Sequence, residues 1–173
     1  MTDLRPCVFL DRDGVINRER GDYTWRVDDF DILPGVPETL QKLKEAGFLL
    51  VLITNQAGIA RGRYGHEDVA RCHTYMQEQC SNAFDGIYYS PYHPDQTESL
   101  SRKPGRLLFE KAIARFGIDA GRSWMVGDRE RDLIPAHQLG MRGILVTEKK
   151  VPDSLAVHQA PDLLSAGDFI LKG

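Results

Sequence analysis

The sequence predicts an α/β fold: a mostly parallel sheet held between two layers of helix. Two observations carry that prediction. Short apolar runs alternate with stretches in which apolar residues recur every three or four positions, the order that builds parallel sheets with right-handed crossovers. The runs themselves, at residues 7–10 and 48–53, are continuously apolar, as strands buried on both faces must be.

The first strand, Cys7-Val8-Phe9-Leu10, stops at Asp11. Residues 17–31 are polar, charged and aromatic, and read as a functional loop or flap. A helix is expected from Pro37, a residue suited to a first helical turn, with Val36, Leu40 and Leu43 on one face and Gly47 as its C-terminal cap. Residues 48–53 form the clearest buried strand and end at Thr54-Asn55. Glu67 and Asp68 open a second helix, where acids favour the positive end of the dipole, and Val69, Cys72, Met76 and Cys80 give it an apolar face.

Ile87-Tyr88-Tyr89 is the third strand, followed by a proline-rich loop through Pro104. Leu108, Ala112, Ile113 and Phe116 mark a third helix closed by Gly117, and Trp124-Met125-Val126 a fourth strand that breaks at Gly127-Asp128. A fourth helix follows, in which Pro135 is tolerable if Asp132 is the cap, because first-turn amides have no intrahelical acceptor. A fifth strand is expected at residues 143–146, a short sixth near Leu163-Leu164, and a terminal helix through Ile170.

The 173 residues and 19.5 kDa correspond to one domain, expected over 1–173. Hydrophobic residues at 42% and charged residues at 27% fit a globular chain and exclude whole-chain disorder. The longest apolar run is far short of the roughly 20 residues of a membrane helix. Met1-Thr2-Asp3 carries an acid where a secretory signal would carry positive charge, so a cytoplasmic protein without a membrane partner is expected. Twenty-five acids against 22 Lys and Arg give a net charge of −3 and argue against a nucleic-acid-binding surface. Cys7, Cys72 and Cys80 are odd in number and never spaced as Cys-x-x-Cys, which suits free thiols in a reducing compartment.

In such sheets ligands bind beyond the carboxyl ends of the strands. Polar clusters stand at those ends: Asp11-Arg12-Asp13-Gly14 after the first strand, Thr54-Asn55-Gln56 after the second, Arg102-Lys103-Pro104 after the third and Gly127-Asp128 after the fourth. In extended backbone Asp11 and Asp13 point to the same side. Each cluster alone could be a solvated turn; their joint placement points to one site. An EF-hand loop is excluded because Gly14 falls fourth rather than sixth and a strand precedes it. Residues 58–62 lack the Lys and Ser/Thr of a Walker loop and read as an ordinary loop.

Asp11 to Asn17, Thr54 to Gly62, Arg102-Lys103-Pro104 and Gly127-Asp128 resemble, in order, the successive motifs of the haloacid dehalogenase-like (HAD) hydrolase superfamily. The resemblance runs from Val8 to about Val146 and is nearest to the heptose 1,7-bisphosphate phosphatases and the related histidinol-phosphate phosphatases. It implies a Rossmann-like three-layer sandwich without a large cap domain, and a Mg²⁺-dependent phosphomonoester hydrolase of a small sugar phosphate, with heptose bisphosphate 7-phosphatase the leading reading. By resemblance Asp11 is the nucleophile that forms an aspartyl phosphate, and Asp13 the acid and base. Thr54 and Lys103 would bind the phosphoryl oxygens, while Asp11, Asp128 and the Asp13 carbonyl would hold Mg²⁺. Glu19, Arg20, Asp22, Tyr23, Asn55, Gln56, Arg102 and Arg129 would contact substrate.

Asp132 has two readings that can both hold: helix cap and, by resemblance, neighbour of Lys103 or of a metal-bound water. Close relatives carry a structural zinc before the Arg-Lys motif; the matching positions here are Ser90, Tyr92, Ser99 and Ser101, so no structural zinc is expected. His93 is taken as a loop residue, and His66, His73, His137 and His158 as structural or solvent-facing. Arg18, Arg20, Arg61, Arg63, Arg102 and Arg106 gather in the loops and suit a substrate with a second anionic group. The expected partner is a small phosphorylated metabolite, and the expected state a monomer. Two alternatives stand beside this reading: a histidinol-phosphate phosphatase, and a receiver-like signalling domain that stores an aspartyl phosphate. Asp13 argues against the second, because receivers do not follow their phosphorylated Asp with an acid two residues on.

Overall fold

The computed structural model describes residues 3–173; Met1 and Thr2, the start of the stretch read above for a signal, lie outside the described residues. Six strands form one all-parallel sheet: β1 (Cys7–Leu10), β2 (Leu49–Asn55), β3 (Gly86–Ser90), β4 (Trp124–Gly127), β5 (Arg142–Val146) and β6 (His158–Ala160), in the order β3-β2-β1-β4-β5-β6. Among the described residues four α-helices connect strands, α1 (Val36–Glu45), α2 (His66–Gln79), α3 (Leu107–Phe116) and α4 (Glu130–Gln138), and α5 (Leu163–Leu171) follows β6.

The continuous apolar strands are explained by two cores. Val8, Leu10, Leu50, Leu52 and Val126 face Leu40, Leu43, Cys72, Met76 and Ile170 on one side of the sheet. Cys7, Phe9, Val51, Ile53 and Met125 face Leu108, Phe109, Ala112, Leu133 and Ala136 on the other. Alternate residues of each strand thus serve opposite layers. The three cysteines are buried and free. Among the described residues no helix is long and apolar enough to cross a membrane.

The strand order reverses at β1: the chain steps outward through β2 and β3, then returns to place β4 on the other flank of β1. Crossovers on either side of that point leave a crevice beyond the carboxyl ends of β1 and β4. From residues 17–31, which hold one 3₁₀ turn at Val27–Asp29, Glu19 and Tyr23 reach it.

Two expectations are corrected. Leu163 and Leu164 begin α5 rather than forming a strand, because Asp162 caps that helix through the Ser165 N–H at 2.8 Å. The sixth strand is His158–Ala160, paired with β5, and the His158 ring stacks on Phe169 of α5 at 3.9 Å. In α4 the cap residue is Arg129, not Asp132, so Pro135 lies inside the helix. Its missing N–H would have bonded the Arg131 carbonyl, so one helical hydrogen bond is absent.

The Phe109 ring packs 5.2 Å from Phe9 in the core beneath the site and is fully buried. Phe109→Ala is expected to lower stability by about 3–5 kcal/mol in urea unfolding, and a loss below about 1 kcal/mol would contradict this packing account.

Candidate active site

The carboxyl ends of β1 and β4 bring three acids together. Asp11 follows β1 directly, and its N–H donates to the Val126 carbonyl at 3.0 Å, which keeps it in register with β4. Asp128 follows β4, and Asp132 comes from the first turn of α4. One oxygen of each lies within 4.8 Å of the others. Two glycines permit that approach. Gly14 has φ +86°, and a Cβ there would fall 2.5 Å from Asp128 Oδ2; a Cβ on Gly127 would fall 2.4 Å from the Asp132 Cβ.

Lys103 enters from the loop after β3 and is 2% exposed. Its ammonium donates to Asp11 Oδ1 at 2.7 Å and to the Ile53 carbonyl at 2.8 Å, and pairs with Asp132 Oδ1 at 2.8 Å. All three N–H bonds are used. Asp132 is thus a neighbour of Lys103, and though it is not the cap residue it stands in the first turn of α4, where its other oxygen accepts from the N–H of the cap residue Arg129 at 3.1 Å.

Three carboxylates around one ammonium leave the site short of positive charge. Burial and Asp132 push the Asp11 carboxyl well above its usual range despite Lys103, and burial with Asp132 pushes Asp128 up to about 6. Burial alone would lower the Lys103 pKa, but Asp11 and Asp132 outweigh it and hold the ammonium above its usual value. A crowded set of oxygen donors with uncompensated charge fits a hard divalent cation.

Asp13 faces the same crevice, held by three donors. Arg12 Nη2 and Asn17 Nδ2 reach Oδ1 at 3.1 and 2.9 Å, and Gln56 Nε2 reaches Oδ2 at 3.3 Å. Gln56 Nε2 also donates to Thr54 Oγ1 at 2.9 Å, which leaves the threonine hydroxyl free to donate elsewhere, and Gln56 Oε1 accepts from the Tyr64 hydroxyl at 2.8 Å.

A cleft of about 210 Å³ opens above these groups, lined by Asp11, Asp13, Thr54, Lys103 and Asp128, with Glu19, Tyr23, Asn55, Arg129 and Arg131 around them. Glu19, Tyr23, Asn55 and Arg129 therefore border the cleft. Four other candidates do not. Arg20 turns away to Asp29 at 3.2 Å, and Asp22 accepts from the Tyr23 N–H. Gln56 is buried behind Asp13, and Arg102 donates to the Tyr92 carbonyl and lines a separate hollow with Pro94, Leu100 and Pro104. Asn55 lines the cleft, but its amide clamps the Lys103 backbone through bonds of 3.2 and 3.0 Å.

The expected arginine cluster is also redistributed. Arg18 pairs with Asp31 and Arg106 with Glu110 on the surface. Arg131, which sequence reasoning missed, lines the cleft instead; its place one residue before Asp132 in the first turn of α4 was the available signal. Arg102 stays near enough to feel it: burial, then the charges of Arg131 and Arg61, lower the Arg102 pKa.

Ser90, Tyr92, Ser99 and Ser101, the positions read above for a structural zinc, do not fit that metal. Ser101 Oγ bonds Ser90 Oγ at 2.9 Å and Ser99 Oγ at 2.8 Å, so the hydroxyls satisfy one another and offer no thiolate. Arg61 ties the loop down by bonding His93 Nε2 at 2.8 Å and the Tyr23 hydroxyl at 3.2 Å, and by pairing with Asp95 at 3.4 Å.

A family model described as HAD-hydrolase-like matches residues 100–168. The chain is 39% identical over 147 residues to a D-glycero-beta-D-manno-heptose-1,7-bisphosphate 7-phosphatase of Haemophilus ducreyi, covering 80% of each chain. It is 38% identical to the protein of that name from Photorhabdus laumondii, covering 95% of this chain and 92% of the relative. A crystal structure of D,D-heptose 1,7-bisphosphate phosphatase from B. bronchiseptica, complexed with magnesium and phosphate, superposes with a TM-score of 0.86 at 27% identity, covering 96% of this chain and 98% of that one.

Two measurements test the site's electrostatics. Because the native pKa of Asp128 lies above its ordinary 3.8, the folded state holds the extra proton between about pH 4 and 6, and stability is lost as pH rises through that window. Urea unfolding of metal-free protein is expected to show wild type losing on the order of 2–3 kcal/mol more than Asp128→Asn between about pH 4 and 7; parallel curves would contradict it. Metal analysis of protein purified without chelator is expected to find no stoichiometric zinc, and one tightly held equivalent would overturn the account of the serine loop.

Proposed function

The chain belongs to the haloacid dehalogenase-like hydrolases and is a phosphatase, and from that premise we propose that it removes the 7-phosphoryl group of a heptose 1,7-bisphosphate through an aspartyl phosphate on Asp11. The observation that carries this reading is one contact: a buried carboxylate 2.7 Å from a buried ammonium on the floor of a cleft, with a second, firmly held carboxylate two residues on. The substrate follows from the names of the relatives, and the cleft supports it. About 210 Å³ suits a small phosphorylated sugar, and Arg129 and Arg131 at its rim suit a second anionic group.

Asp11 attacks phosphorus as the bond to the sugar oxygen breaks, and Asp13 gives that oxygen its proton. Asp13 then takes a proton from water as the water oxygen attacks the aspartyl phosphate, releasing inorganic phosphate and the Asp11 carboxylate. Lys103 sits beside the nucleophile, so positive charge is in place where phosphoryl oxygens arrive. As the Asp11 anion becomes an acyl phosphate its hold on the ammonium weakens, and one N–H turns to the phosphoryl group. The Thr54 hydroxyl supplies a further donor.

Mg²⁺ would be held by Asp11, Asp128 and the Asp13 carbonyl, and when bound it offsets the repulsion between carboxylate and phosphate. Asp132 keeps Lys103 in place. The receiver-like alternative falls with membership among phosphatases, and histidinol phosphate remains the competing substrate to test.

Phosphate release from a panel of phosphorylated metabolites is expected to be fastest with heptose bisphosphate, to need Mg²⁺ and to stop with EDTA. Asp11→Asn is expected to lose at least about a thousandfold in kcat. Faster turnover of histidinol phosphate would reassign the substrate, and undiminished turnover by Asp11→Asn would overturn the nucleophile.

A further inference from the structure

Behind Asp13 lies a buried cation that none of these steps uses. Arg12 is fully buried, its guanidinium carbon 5.3 Å from the centre of the Phe30 ring. Nη2 donates to Asp13 Oδ1 at 3.1 Å and to the Thr24 carbonyl at 2.6 Å. Nη1 lies 3.4 Å from His73 Nε2, and Nε has no hydrogen-bond partner among the described residues. His73 reaches this point from the middle of α2, 61 residues along the chain, and its ring meets Tyr89 edge-on at 5.9 Å.

Since a guanidinium can only donate, His73 must present a lone pair on Nε2 and carry its proton on Nδ1. Its surroundings enforce that neutral form, because burial and then the Arg12 charge push its pKa down to about 3. Arg12 thus already holds one orphaned N–H, and without His73 it would hold more. A buried, unpaired charged donor is costly, so the guanidinium would turn toward whichever oxygens remain in reach. The nearest are the Asp13 carboxylate and the Thr24 carbonyl, and turning would change how Asp13 is presented.

We propose that His73 is a positioning residue for proton transfer: its neutral imidazole fixes the Arg12 guanidinium, which with Asn17 and Gln56 holds Asp13 toward the leaving-group oxygen. The inference rests on the reading of Asp13 as the acid and base. The step it serves balances simply. One proton leaves the Asp13 carboxyl for the sugar oxygen while the phosphorus–sugar bond breaks and the Asp11–phosphorus bond forms.

A leaving group that needs no proton separates this role from a general packing role. The kcat/KM of a phosphatase that passes through an aspartyl phosphate reports the steps up to formation of that acyl phosphate. It is therefore to be measured for heptose bisphosphate, whose sugar leaving group needs a proton, and for 4-nitrophenyl phosphate, whose leaving group departs as a stable phenolate. His73→Phe is expected to lower the first by about 10- to 100-fold and the second far less, with His73→Gln, which keeps an acceptor, restoring part of the loss. His73→Leu replaces the phenylalanine variant if the larger ring does not fold.

Equal losses on both substrates would mean a structural histidine and would overturn the proposal. Asp13→Asn is the control. If it discriminates between the substrates and His73→Phe does not, the inference alone fails. If Asp13→Asn treats both alike, the acid–base reading of Asp13 fails and carries the inference with it.

Discussion

The site is organised by one buried ion pair, the Lys103 ammonium against the carboxylates of Asp11 and Asp132. Taking these charges out of water costs several kcal/mol each, and that cost is met only by close geometry and complete hydrogen bonding. Lys103 has both: two carboxylates and a backbone carbonyl, all within 2.8 Å. The pair also leaves an imbalance, because three carboxylates share one ammonium in a confined space, and the pKa values of Asp11 and Asp128 rise. Such a site attracts cations and dianionic groups that arrive with cations. Asp132 has a second task, since it starts α4 while it holds the lysine, so the helix and the ion pair depend on the same side chain.

The fold supplies the place for this pair. Reversal of strand order at β1 separates the crossovers and opens the crevice, and Asp11 and Asp128 are the first residues beyond β1 and β4. Gly14 and Gly127 remove the two Cβ atoms that would otherwise keep the acids apart. Behind them, Asn55 fastens the Lys103 loop to β2, while Gln56, Asn17 and Arg12 fasten Asp13. The loop at residues 90–101 is held by three serine hydroxyls and by Arg61, which bonds His93 of that loop and Tyr23 at the cleft. Hydrogen bonds within the chain thus tie the loop to the cleft.

Much of this was legible in the sequence for a definite reason. Strands buried on both faces show as unbroken apolar runs, and the first polar residue after such a run has nowhere to stand but the sheet edge. Asp11, Thr54 and Asp128 are read that way, and Asp13 follows from the two-residue period of extended chain. Side-chain direction in loops is not encoded so locally. Gln56 and Arg102 sit beside motif residues yet turn inward or aside, because Tyr64 and the Tyr92 carbonyl, brought close only by folding, offer them partners. Arg131 was missed because a charged residue in a first helical turn looks like ordinary surface. Leu163-Leu164 was misread because a short apolar pair suits strand and helix alike, and the Asp162 cap decided between them.

The central claim is that a lysine-paired carboxylate becomes covalently attached to phosphorus. The most direct test is mass spectrometry of protein quenched in acid during turnover of the bisphosphate, with peptides mapped before and after hydroxylamine treatment. The account predicts a phosphoryl group on the peptide containing Asp11, lost on hydroxylamine treatment as an acyl phosphate must be. Phosphate release without any phosphopeptide under conditions that accumulate the intermediate, or a phosphoryl group on a different residue, would contradict it.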